Sequence, residues 1–196
     1  MTPSALVFAV ALVASAARLD GMPAAAVLGQ EPPVNADAHT MAEFTKRVAE
    51  YAALHKKIEA TLPKLPDKAT PTEIDTNQRA FAAQLAAARA GARQGDLFTP
   101  EMQTLVRKLL TGLFKTSAAR AQLRASVMDE NPTNVRVAVN SRYPDAVPIS
   151  TMPPEILKSL PLLPEELEYR FVGETLILLD PHAHIVADFV PRALPR

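Results

Sequence analysis

The sequence predicts an α+β protein in which a three-helix amino-terminal bundle is followed by a small antiparallel β meander. Three observations carry that reading. Hydroxyl-then-proline starts at Thr70-Pro71-Thr72-Glu73 and Thr99-Pro100-Glu101 open segments whose apolar residues recur every three or four positions. After Pro132 the period drops to two, as Val135, Val137 and Val139 alternate with Arg136, Ala138 and Asn140. The carboxy-terminal stretch then holds short apolar blocks separated by turn residues.

At the amino terminus, Ala5 to Val13 is apolar and runs into the small-x-small site Ala14-Ser15-Ala16, which reads as an export signal although Met1-Thr2-Pro3-Ser4 carries no basic residue. Arg18 and Asp20 interrupt the run before it reaches the roughly 20 apolar residues needed to span a bilayer. Cleavage is expected after Ala16, with a second candidate after Ala24-Ala25-Ala26 and an uncleaved anchor as the alternative. Residues 1–26 are therefore assigned to the signal and 27–39 to a flexible leader. The mature chain is expected to be periplasmic or secreted, with no stable transmembrane span.

The helical region, 40–130, begins with Thr40-Met41-Ala42-Glu43, which has the form of a capping box. Met41, Phe44, Val48, Tyr51, Ile58 and Leu62 keep a three-four spacing, and His55 fills the one slot where that register calls for an apolar side chain. A packed histidine with one satisfied nitrogen is the preferred reading, and Lys56-Lys57 reads as a solvated face. Leu62-Pro63-Lys64-Leu65-Pro66 ends the helix, since each proline removes a donor and restricts its predecessor. Its PxxP spacing, repeated at Pro161 and Pro164, reads as a rigid spacer rather than a docking ligand. In the second helix Ile74, Gln78, Phe81, Leu85, Ala88 and Ala92 form one stripe, and Gly95-Asp96-Leu97-Phe98 makes a turn. Met102, Leu105, Val106, Leu109, Leu110, Leu113 and Phe114 give the third helix the widest apolar arc, marking it as the centre of the core. A weaker helix continues over Thr116 to Met128, with Leu123 and Val127 facing in.

The β-rich region, 131–196, packs on the helices as one domain with them. Val135–Val139 is expected to be a half-buried strand, Tyr143-Pro144-Asp145 a turn, and Thr151 to Leu160 a short helix. Tyr169–Val172, a Gly173-Glu174 turn, Thr175–Asp180 and Ile185–Val190 form the meander, whose middle strand is apolar on both sides, as a central strand under a helical layer should be.

Charge and composition remove several chemistries. Lys plus Arg equals Asp plus Glu at 21 each, so there is no basic field for nucleic acid. With no cysteine the chain has no disulfide, thiol nucleophile, thiolate metal site or lipoprotein anchor. Ser117, Ser126, Ser141, Ser150 and Ser159 lack a nucleophile-elbow context. Six glycines include no phosphate-binding loop, and Glu165-Glu166 reads as a first-turn pair complementing a helix dipole. No catalytic residue and no cofactor is assigned. The one ligand-like cluster is Asp180-Pro181-His182-Ala183-His184 with Asp188 beyond it; imidazole plus carboxylate suits zinc, copper or nickel, so a metal set of His182, His184, Asp180 and Asp188 is expected if the two histidines face the same way. The preferred function is a non-catalytic binding or interaction role in the cell envelope, with an envelope protein or a second copy as partner. The alternative is a periplasmic metal-handling protein using the His-x-His turn.

The stretches Gln94-Gly95-Asp96-Leu97-Phe98-Thr99-Pro100, Leu160 to Gly173, Leu176-Ile177-Leu178-Leu179-Asp180 and Ile185 to Val190 together resemble a group of uncharacterised exported bacterial proteins. That resemblance implies export and carries no assigned reaction. At the level of the hairpin alone, the tail is similar to that of small periplasmic proteins of nickel and cobalt homeostasis.

Overall fold

The computed structural model describes residues 35–129, 135–145, 147–149 and 151–195. The expected signal and most of the leader lie outside the described residues. Among the described residues five helices, α1 (Ala36–Glu59), α2 (Pro71–Ala88), α3 (Pro100–Leu113), α4 (Ser117–Asp129) and α5 (Pro154–Ser159), precede three strands, β1 (Glu168–Val172), β2 (Thr175–Asp180) and β3 (Ile185–Val190). The expected α+β class and its helices-then-meander order are what the chain adopts.

Caps fix where the helices begin. Thr70 and Glu73 close a reciprocal capping box on α2, and the Thr99 hydroxyl accepts from the Met102 amide at the start of α3. The expected box at Thr40 does not form. α1 starts earlier because the Asn35 side chain accepts from the Asp37 amide, so Thr40 is already inside the helix and its hydroxyl donates to the Ala36 carbonyl. The weaker helix expected to continue over Thr116 to Met128 is present as α4, separated from α3 by a break. Phe114 leaves helical geometry at φ −107°, ψ 73°, and Thr116 restarts the chain by accepting from the Ala119 amide.

α1 packs against α2 and α3, and α3 against α5. Met102, Val106 and Leu110 of α3 are completely buried, which makes α3 the helical centre of the core. The strands run antiparallel in the order β1-β2-β3, with Gly173 at φ +55° turning β1 into β2. Leu176, Ile177, Leu178 and Leu179 of β2 are all 0% exposed. Leu176 and Leu178 join the helical core, whereas Ile177 and Leu179 face a second cluster with Tyr143, Val172 and Val186. Each such side chain contributes about 1.5–3 kcal/mol relative to leaving it in water.

The second face is covered by the segment expected to be a strand. Val135 and Val137 pack there, and burial alternates along 135–138 as the two-residue period requires, yet the segment forms no ladder. Alternation reports an extended chain lying on an apolar surface and does not by itself supply backbone pairing. Pairing comes one step later, where the Asn140 and Tyr143 amides donate to Val186 and His184 carbonyls and Arg142 bridges Ile185.

A bulge in β3 re-aims a carboxylate. Leu178 pairs with Asp188 but Leu179 with Val186, leaving Ala187 as an extra residue. Without it Asp188 would share the face of Val186; with it Asp188 turns to the helical side. There, completely buried, it accepts from the Gly95, Leu97 and Phe98 amides at 2.8–3.0 Å and from its neighbour Phe189 at 2.8 Å. Burial is the largest influence on this carboxyl and leaves its pKa raised, against the pull of the four amides. Gly95 adopts φ +99°, which lets the loop curl around the carboxylate as an anion-binding nest.

Candidate metal centre

His55 sits on α1 one turn after Tyr51 and one turn before Glu59, so the three side chains share a face. The β2–β3 turn docks against that face. Asp180, at the end of β2 and completely buried, uses its two oxygens on different tasks. Oδ1 accepts from the Ala183 amide at 2.8 Å and folds the turn; Oδ2 accepts from the Tyr51 hydroxyl at 2.8 Å and meets His55 Nδ1 at 2.6 Å. A carboxylate only accepts, so Nδ1 carries the hydrogen and Nε2 is left with its lone pair.

That second nitrogen is the informative atom. The His55 side chain is 0% exposed, yet Nε2 has no hydrogen-bond partner among the described residues. It lies 3.4 Å from Glu59 Oε2, close enough for an ion pair but not placed for a hydrogen bond. The other oxygen of Glu59 lies 3.1 Å from His182 Nδ1, and the two imidazoles stand 5.3 Å apart. Phe81 holds the other side of the His55 ring edge-on at 4.7 Å. Among the described residues, His55, Glu59 and His182 form the one trio whose ligand atoms all lie within 4.8 Å of one another. Bonds of about 2.1 Å in a tetrahedral site put neighbouring ligand atoms about 3.4 Å apart, so the spacing fits a first-row divalent ion. Glu59 and His182 are about half exposed, which gives an ion a way in.

The expected set of His182, His184, Asp180 and Asp188 is not brought together. Two histidines two residues apart face one way only on an extended segment, and this one is a tight turn with His184 in the left-handed region at φ +54°. His184 consequently points away from its neighbour, edge-on to Tyr143 at 5.7 Å and 3.5 Å from Asp145. Burial, helped by Arg142, pushes its pKa down. Asp188 closes the α2–α3 loop, and Asp180 stands behind His55 rather than facing the open site. His182 alone keeps the role of ligand. The expectation of a packed His55 with one satisfied nitrogen matches the geometry, and the missing information was the partner 125 positions away. Glu165-Glu166 is not a helical first turn: the pair lies in the turn before β1, where Glu166 meets Lys56 at 2.9 Å, so that lysine is ion-paired as well as solvated.

Burial is the largest influence on His55 and pulls its pKa down. The Asp180 hydrogen bond and the charges of Asp180, Glu59 and Glu166 outweigh it, so the net direction is up. Burial and Asp180 also push the Tyr51 hydroxyl far above its usual range, keeping it a donor. The groups facing the imidazole are Asp180 from β2, Glu59 from α1, His182 from the turn and Glu166, itself tied to Lys56. A folded pKa above the unfolded value of about 6.5 gives stability that is complete below that pH and fades as pH rises through the folded value. His184, with its pKa lowered, acts with the opposite sign over the same window, so the His55 share is read against a variant. From pH 8 to pH 6 the urea midpoint of the metal-free chain should rise relative to that of His55→Gln, and equal pH slopes in the two would contradict the assignment.

Compared with known family models, characterised proteins and solved structures, the chain matches none of them.

Proposed function

We propose that the chain binds a divalent transition-metal ion through His55 Nε2, the Glu59 carboxylate and His182 Nδ1, with Asp180 fixing the His55 tautomer from behind. The role is binding rather than catalysis, and an envelope location is supported by the signal-like residues 1–26 and by the resemblance of the stretches from Gln94 onward to exported proteins. The observation that carries the reading is the orphaned, buried Nε2 of an imidazole whose other nitrogen is held by a buried carboxylate. Leaving a buried polar atom unmade costs about 1–3 kcal/mol, and a metal removes that cost. Carboxylate behind histidine behind metal is how ligating imidazoles are ordinarily oriented and made more basic. Two imidazoles and a carboxylate suit zinc, copper or nickel and exclude an all-oxygen calcium or magnesium site.

Calorimetric titration of the chain with zinc, copper and nickel tests it. Saturable uptake of one ion is expected. His182→Ala and Glu59→Gln, both at half-exposed positions, should each weaken it by about 10- to 100-fold or more, the loss that even an outer partner of a ligand produces. His184→Ala should leave affinity unchanged. No heat at micromolar metal would end the reading, and equal losses for the His182 and His184 variants would return the site to the His-x-His turn.

A further inference from the structure

A cleft of about 380 Å³ opens beside Glu59, lined also by Lys56, Leu62, Lys64, Leu65 and Asn77. Glu59 thus belongs to both the metal trio and the cleft wall. Three protein ligands leave one corner of a tetrahedral site open. The charges in the cleft are not neutral once that site is filled. Lys56 is held by Glu166 at 2.9 Å, whereas Lys64 has no ion-pair partner among the described residues. Among the described residues Glu59 is the one acidic side chain lining the cleft, and a divalent ion beside it adds two positive charges that no other lining group offsets. The remaining wall is apolar, with Leu62 packed on the core and Leu65 42% exposed. Asn77 is fixed by donating to the Pro63 carbonyl at 3.0 Å, which steadies the loop that carries Lys64 and Leu65.

Resting on the metal reading, we propose that this cleft seats a small oxyanion with an apolar body, a carboxylate or phosphonate whose charged head completes the coordination of the ion beside Lys64 and whose body lies on Leu62 and Leu65. The bound species is then a metal–anion pair, and anion affinity depends on the metal. Charge explains the order of events: the empty trio presents a carboxylate that repels an anion, and the loaded trio attracts it.

Cobalt(II) loaded into the full chain reports its coordination sphere in its visible bands. Titration with phenylphosphonate and, separately, benzoate should shift those bands saturably, and the tighter of the two identifies the preferred head. Methylphosphonate should bind about tenfold more weakly than phenylphosphonate, from the apolar area lost. Lys64→Ala, on an exposed loop, should load cobalt normally and weaken the anion by about three- to tenfold. The metal-free chain should give no calorimetric signal with either anion. Cobalt that loads while neither aryl anion moves its bands overturns the inference and leaves the metal reading standing, as does unchanged anion affinity in Lys64→Ala or equal binding without metal. A chain that takes up no cobalt overturns the metal reading and the inference with it.

Discussion

Replacing Asp180 by alanine should cost about 3–5 kcal/mol of folding stability, the range for removing one member of a buried charged network. Three donors lose their acceptor together: the Ala183 amide, the Tyr51 hydroxyl and His55 Nδ1. Tyr51 and His55 are buried, so water cannot take the place of the carboxylate. Asp180→Asn separates structure from function. Its carbonyl oxygen can still accept from Ala183, but its amide now donates toward His55, so Nδ1 must accept and the hydrogen moves to Nε2. That puts a proton where the metal should bind. The asparagine variant should lose only about 1–3 kcal/mol while metal affinity falls by about 10- to 100-fold. Urea denaturation and calorimetry on the same two variants check both halves; an asparagine variant with undiminished affinity would contradict the role given to Asp180.

The second large loss is expected at Asp188, far from the metal trio in function though on the same face of the sheet. Asp188→Ala strands the Gly95, Leu97 and Phe98 amides beneath a core in which Phe98 stacks on Phe44 at 5.3 Å. Three orphaned amides and the emptied space should again cost about 3–5 kcal/mol by urea denaturation. Metal affinity measured below the unfolding transition should be unchanged, because among the described residues the loop before α3 makes no hydrogen bond, ion pair or ring contact with His55, Glu59 or His182. A loss below about 1 kcal/mol would mean that the loop finds other acceptors, contrary to the nest geometry.

These two aspartates show which parts of the fold and site were legible in the chain. Both lie in the stretches that carried the likeness to exported proteins, and the structure supplies a physical reason for one pairing: Gly95-Asp96-Leu97-Phe98 is the loop that wraps Asp188. Local chemistry was readable wherever donor and acceptor are close in sequence, as at Thr70 with Glu73 and at Thr99 with Met102. His55 was visible as the one polar residue in an apolar register, and Asp180 and His182 were visible as ligand types. Their meeting was not visible, because nothing in the spacing says which helix a hairpin turn will dock against. The valines at 135–139 mark the opposite limit. Their alternation correctly reported a covered face and wrongly implied a ladder, since the pattern records burial and not backbone pairing. At Thr40 a valid capping pattern lost to Asn35, which placed an acceptor earlier in the same helix.

The central claim is that one buried imidazole, backed by Asp180, and two groups at the surface converge on a single ion. Diffraction from crystals of the zinc-loaded chain, measured on both sides of the zinc absorption edge, tests it most directly. The account predicts one anomalous peak bonded to His55 Nε2, a Glu59 oxygen and His182 Nδ1 at about 2.0–2.2 Å, with the His55–Asp180 contact intact. A peak between His184 and Asp145, or zinc held by His182 with His55 Nε2 still unbound, would contradict it.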